Sequence, residues 1–249
     1  MSPVGTARLS GRPPTSAAEA REQVSTACRI LAHWGHEDLT LGHVSVRGPD
    51  PLDVFIKRKG KALAEVTEED VLTVRLDDPD AYRSPGAHLE TVMHLEAYRL
   101  RPDVGAAVHT HPLYATALGA TKAGLAFLSH DAVLFHDGVP GHHEAAGLVT
   151  TPEQGRSVAT TLGSRRALLL HNHGIFVVGE DVRWAVLAAV TLERAAQLQR
   201  AASAIGELAP IEQSEADAIF PNKYRADFLD EYWDAWCRLD RESRSGRLR

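Results

Sequence analysis

The sequence predicts an α/β domain in which helices pack on both faces of a sheet, and three observations carry that reading. Short alternating or β-branched runs recur at LTLGHVSVR (39–47), DVFIK (53–57) and VLTVRL (71–76). Two longer apolar runs each end in His-x-His, at GAAVHTH (105–111) and ALLLHNH (167–173). Helical periodicity marks both ends of the chain and the stretches between these runs.

The elements follow in order. Residues 1–15 are rich in Pro, Gly and Arg without periodicity and read as a disordered or extended arm. Residues 16–240 read as a single domain and 241–249 as a polar tail. Ser16 caps the first helix, with Glu19 completing a capping box, and Val24, Ala27, Cys28 and Leu31 share one face until Gly35. The runs at 39–47 and 53–57, joined by Gly-Pro-Asp-Pro, form a hairpin. The basic loop KRKGKAL (57–63) fits a solvated turn and an anion-binding loop equally well. Residues 88–100 are helical, placing Glu90 and His94 on one face. Residues 126–140 read as strands and turns. Thr151 caps a helix to Gly163, and Asp181 caps a long helix to about residue 205. Tyr224, Tyr232, Trp233 and Trp236 lie in a helical tail and read as core or subunit interface.

Composition narrows the function. A net charge of -6 argues against nucleic acid or an anionic membrane as partner, which leaves a small-molecule substrate. No apolar run approaches the roughly 20 residues of a membrane span, and no leader pattern opens the chain, so a cytoplasmic protein is expected. Cys28 and Cys237 read as reduced core residues.

If 105–111 is a strand, His109 and His111 face the same way, roughly 6 to 7 Å apart, as two teeth of a metal clamp. A third ligand then comes from elsewhere, and the second His-x-His run is the obvious source. With 13 histidines, chance placement gives about 0.7 such pairs, so either alone is weak. Two pairs that each close an apolar run are a stronger signal for a divalent-ion site.

The order GHVSVR, a Glu-His helix, RPDVGAAVHTHP and LLLHNHGIFVVG resembles the class II aldolase/adducin family over residues 16–204. The resemblance implies a three-layer α/β/α fold with a central, mostly antiparallel sheet, and a homotetramer whose active sites lie between subunits. It implies one divalent metal ion per subunit, Zn2+, Mn2+ or Fe2+, on His109, His111 and His173. His171, of the same strand parity as His173, is expected as an extra ligand or substrate-facing group. Glu90 matches the family's acid/base carboxylate, and Tyr224 the position from which some members bring a proton donor to a neighbouring subunit.

The family's sugar-phosphate enzymes have asparagine where this chain has His43 and a Thr-x-Gly loop where it has KRKGKAL. A carboxylated, aromatic substrate therefore fits better than a sugar phosphate. GHVSVR resembles the form seen in family decarboxylases of aromatic acids and in iron-dependent oxygenases of prenylated hydroxyphenylpyruvate. The expected function is a metal-dependent carbon–carbon lyase, either an aldolase or a decarboxylase, that stabilises an enolate. His43, Arg47, Lys57, Lys59 and Lys61 would anchor the carboxylate. The alternatives are a non-heme iron oxygenase and a non-catalytic, adducin-like binding module.

Overall fold

The structure, a computed structural model, describes residues 9–144 and 147–245. The α-helices are α1 Ala17–Leu31, α2 Thr91–Leu100, α3 Leu113–Gly119, α4 Pro152–Leu162, α5 Val182–Ser203, α6 Gln213–Lys223 and α7 Ala226–Arg244. The strands are β1 His43–Arg47, β2 Asp53–Lys57, β3 Val71–Arg75, β4 Ala106–Thr110, β5 Gly141–His142, β6 Ala167–Leu170 and β7 Gly174–Gly179. They form one sheet in the order β3-β2-β1-β4-β7-β6-β5, antiparallel throughout except for the β5–β6 pair.

Alternation along each strand divides the core. Val44, Val46, Phe55, Ala106, Val108, Ile175 and Val177 pack against α1, α3, α5 and α7. Val54, Ile56, Ala107, Leu168, Phe176 and Val178 face α2 and α4 on the other side. The result is a mostly antiparallel sheet between helix layers, the expected three-layer fold. Cys28 and Cys237 are both free and buried.

Helix starts follow their capping residues. Ser16 accepts from Glu19 N, Thr151 from Gln154 N, and Asp181 from Arg183 N and Trp184 N. The Glu19 carboxylate bonds Thr15 instead of closing a box with Ser16.

Several segments differ from expectation. β1 starts at His43 because Leu39 (φ 49°) and Gly42 (φ 72°) turn the chain just before it. The stretch 126–140 holds no strand; Ala132–Phe135 is a buried 3-10 turn, an apolar run too short for periodicity to assign. Residues 9–15, extended as one of the two expectations for the arm has it, lie along α7: Leu9 O accepts from Trp233 Nε1, and Arg12 pairs with Asp230 at 2.7 Å. Residues 1–8 of that arm lie outside the described residues. α7 runs to Arg244, past the expected boundary at 240, and 246–249 also lie outside the described residues. Among the described residues no helix is long and apolar enough to cross a membrane.

Candidate active site

Four elements meet at one end of the sheet: the start of β1, the end of β4, the β6–β7 turn and the start of α2. His43 and His109 are direct partners across β1 and β4, so their side chains leave the same face. His111 lies just beyond β4. β6 and β7 form a hairpin in which Leu170 opposes Gly174, so His171, Asn172 and His173 are its turn. Asn172 takes a left-handed conformation, φ 56°, which breaks the period-two alternation. This corrects the expected parity of His171 with His173. His171 swings away, donates from Nδ1 to Gly119 O and lies against the His143 ring, outside the cluster.

Gly174 is required here by a close approach. A Cβ on it would lie 2.5 Å from Thr110 O and 2.6 Å from His111 Cδ2. The Gly after His173 is therefore what lets β7 close on the end of β4.

Glu90 precedes α2 as its cap residue rather than riding on the helix, and one carboxylate oxygen accepts from Val149 N at 2.9 Å. The other lies 3.4 Å from His109 Nε2, and Oε1 lies 3.5 Å from His173 Nε2. One ligand atom from each of Glu90, His109, His111 and His173 falls within 4.8 Å of all the others.

The hydrogen bonds fix which nitrogen carries a lone pair. His109 Nδ1 meets the Ile175 carbonyl at 2.8 Å and His111 Nδ1 meets Asp38 Oδ2 at 3.0 Å; both acceptors take a proton, so both Nδ1 atoms are N–H. The two Nε2 atoms face each other at 3.1 Å as lone pairs. His173 Nε2 is buried without a hydrogen-bond partner among the described residues. Lone pairs brought this close fit a shared cation, and tetrahedral ligands with bonds of about 2.1 Å are spaced by about 3.4 Å. Electrostatics agree. Burial alone would raise the Glu90 carboxyl, yet a positive charge shared with His109 and His173, which is a proton in the metal-free chain, holds it well below the usual carboxylate range. Burial, with His109 and His173 beside it, lowers His111 to about 4 against the opposing pull of Asp38. The ring is neutral and ready to coordinate.

Behind this cluster lies a second polar layer that the sequence did not signal as such. His43 Nδ1 lies 2.8 Å from His94 Nε2, and Ser45 Oγ bonds both His94 Nδ1 and Tyr98 Oη. The His43 ring also packs 4.5 Å from His88 and 5.0 Å from His109. Lys57, fully buried, bonds Thr40 O and His88 Nε2, and burial lowers its pKa. The fixed four-residue step from Glu90 to His94 was a usable clue; Asp38, in a loop, had none.

The remaining expected residues are scattered. Arg47 stands at the opposite end of β1 from His43, bonding the carbonyls of Pro51, Tyr98, Val104 and Arg101 with its guanidinium 4.8 Å over the Tyr98 ring. Its donors tie down the chain around β1, which corrects its expected place beside the carboxylate. Lys61 pairs with Asp70 at 3.7 Å. Lys59 lines an open cavity of about 360 Å³ with Arg83, Gly86, Leu89 and Thr150, next in sequence to Glu90 and Val149. Tyr224 donates to Asp131 O at 2.6 Å and packs on Phe220 and Trp184, away from its own chain's cluster.

A mostly antiparallel sheet between two helix layers, with a histidine–glutamate cluster at one end, defines a class of metal-dependent enzyme folds. Residues 22–200 match the family described as Class II Aldolase and Adducin N-terminal domain, and the chain belongs to that family. It is 32% identical over 224 residues to a 3,4-dihydroxyphthalate decarboxylase of Arthrobacter keyseri, covering 81% of this chain and 86% of that protein. It is 29% identical over 193 residues to a 4-hydroxy-3-prenylphenylpyruvate oxygenase/4-hydroxy-3-prenylbenzoate synthase of Streptomyces roseochromogenus subsp. oscitans, covering 75% and 69%. Among solved structures, L-fuculose 1-phosphate aldolase from Glaciozyma antarctica PI12 superposes with a TM-score of 0.78 over 98% of this chain and 100% of that one. At 23% identity this shows the fold alone.

Proposed function

We propose that this protein is a divalent-metal-dependent lyase that decarboxylates a small hydroxylated aromatic acid. The observation that carries the reading is the convergence of His109, His111, His173 and Glu90 within 4.8 Å, with imidazole lone pairs turned inward. The decarboxylase relative, similar over most of both chains, supplies the substrate class. An ion bound there supplies Lewis acidity to a chelated substrate oxygen.

The chain's own residues do the rest. Glu90, ionised in the resting protein, takes the proton of a substrate hydroxyl and returns it to the ring carbon bearing the carboxylate. The carbon–carbon bond then breaks, its electron pair restores the aromatic ring, carbon dioxide leaves and the product phenolate takes a proton from water. His43 and Lys57 stand behind the cluster as donors to anionic oxygens, and Lys59 lines the cavity beside it. Exposed leucines adjoin the site in sequence, Leu39, Leu89, Leu113 and Leu148, and they suit a homotetramer that buries this rim between subunits and brings Tyr224 to a neighbour's cluster.

Glu90→Gln tests the assignment: turnover of 3,4-dihydroxyphthalate-type acids is expected to fall by about 100- to 10,000-fold while the histidines keep the metal. Full activity in that variant removes Glu90 from the mechanism. A second reading, oxidative cleavage on iron, is favoured by the carboxylate among the histidines and by the oxygenase relative. Activity that vanishes without oxygen would select it.

A further inference from the structure

We infer that Tyr98, Ser45 and His94 are positioning residues whose hydrogen-bond chain locks His43 in the Nε2–H tautomer, a fixed N–H donor for an anionic substrate oxygen beside the cluster.

The direction of each bond follows from the one before it. Tyr98 is buried, which raises its pKa, so the phenol keeps its proton at neutral pH. Among the described residues its one hydrogen-bond partner is Ser45 Oγ at 2.8 Å. The phenol therefore donates to Ser45. Having accepted there, Ser45 turns its own proton to His94 Nδ1 at 2.7 Å. Reversed, the Tyr98 proton would meet no acceptor among the described residues, and a buried donor left unpaired is strongly disfavoured.

His94 is fully buried, and with Nδ1 accepting from Ser45 its own proton sits on Nε2. That proton goes to His43 Nδ1 at 2.8 Å. Because Nδ1 accepts that proton, the ring's own proton is left on Nε2. Among the described residues no protein group hydrogen-bonds that nitrogen. The ring faces His109 across the β1–β4 pair at 5.0 Å, so the free N–H lies next to the cation cluster. A nitrogen that carries a proton is not a metal ligand. The chain thereby also keeps His43 out of the coordinating set and makes it a donor.

The acceptor's identity rests on the proposed lyase reading; the tautomer does not. The test is ring 15N–1H correlation on the metal-free full-length protein, with His43 assigned from its loss in His43→Asn. His43 is expected wholly as Nε2–H. In Tyr98→Phe, Ser45 can point either way, and an Nδ1–H population is expected to appear. Binding of 3,4-dihydroxybenzoate to the Zn2+-loaded protein is then expected to weaken by about 3- to 10-fold with Zn2+ affinity unchanged. Ser45→Ala, which cuts the chain, is expected to give the same mixture should Tyr98→Phe fail to fold. An Nδ1–H His43 in the wild type, or pure Nε2–H in both variants, overturns the inference. Wild-type protein that binds no Zn2+ overturns the lyase reading and leaves this result to stand or fall alone.

Discussion

Asp38 Oδ2 lies 3.0 Å from His111 Nδ1 and turns the far nitrogen of that ring toward His109, Glu90 and His173. A carboxylate behind a coordinating imidazole fixes its tautomer and raises its basicity. Asp38→Asn keeps the shape and loses the charge. Its expected effect is a 10- to 100-fold drop in Zn2+ affinity, read by competition with a chromophoric chelator, with little change in melting temperature.

Gly174 packs against both the Thr110 carbonyl and the His111 ring, leaving no room for a methyl group. Gly174→Ala is expected to push β7 off β4 at the cluster. Metal affinity should fall with stability, whereas Gly60→Ala, at a position open to solvent though strained by its φ of 82°, should lower stability alone. Paired metal titrations and thermal melts separate the two.

Arg47 is a structural cation. Its guanidinium bonds four carbonyl oxygens, so Arg47→Ala leaves several of them without donors. Stability is expected to drop by about 2 to 3 kcal/mol in urea unfolding while KM for the aromatic acid stays within a factor of two. A selective rise in KM would return Arg47 to the substrate site.

Acid should loosen the metal-free fold. Burial lowers His36 to about 3 and His88 to about 4, where Lys57 adds to the effect. Both bind fewer protons folded than unfolded, so stability is full above the unfolded value near 6.5 and is lost as pH falls from there toward 4. Each contributes up to about 2 kcal/mol of loss at pH 5. Glu90, lowered in the fold, adds a loss of the same sign below its unfolded value of 4.5. Urea midpoints at pH 7.5, 6 and 5 check the slope.

Much of this was legible from residue patterns because the signals were local. The β2 and β3 runs, the Thr151 and Asp181 caps and the helical face of α5 each depend on spacing within one segment. The two His-x-His runs announced a site. They could not announce that the second one turns, since the left-handed Asn172 looks from sequence like one more strand residue. Residue parity fails wherever a turn chirality intervenes. Asp38, His88 and the Tyr98–Ser45–His94 chain come together only through strand register and the packing of α2 on the sheet. Arg47 was misplaced for the same reason: a charge on a strand says nothing about which end of the sheet holds the chemistry.

Metal content is the most direct measure of the account. Full-length protein reconstituted with Zn2+, Mn2+ or Fe2+ and desalted should retain one ion per chain by plasma mass spectrometry, and His173→Ala should release it while remaining folded. Wild-type protein that retains no ion, or a His173→Ala variant that holds it as tightly, would contradict the cation site at Glu90, His109, His111 and His173.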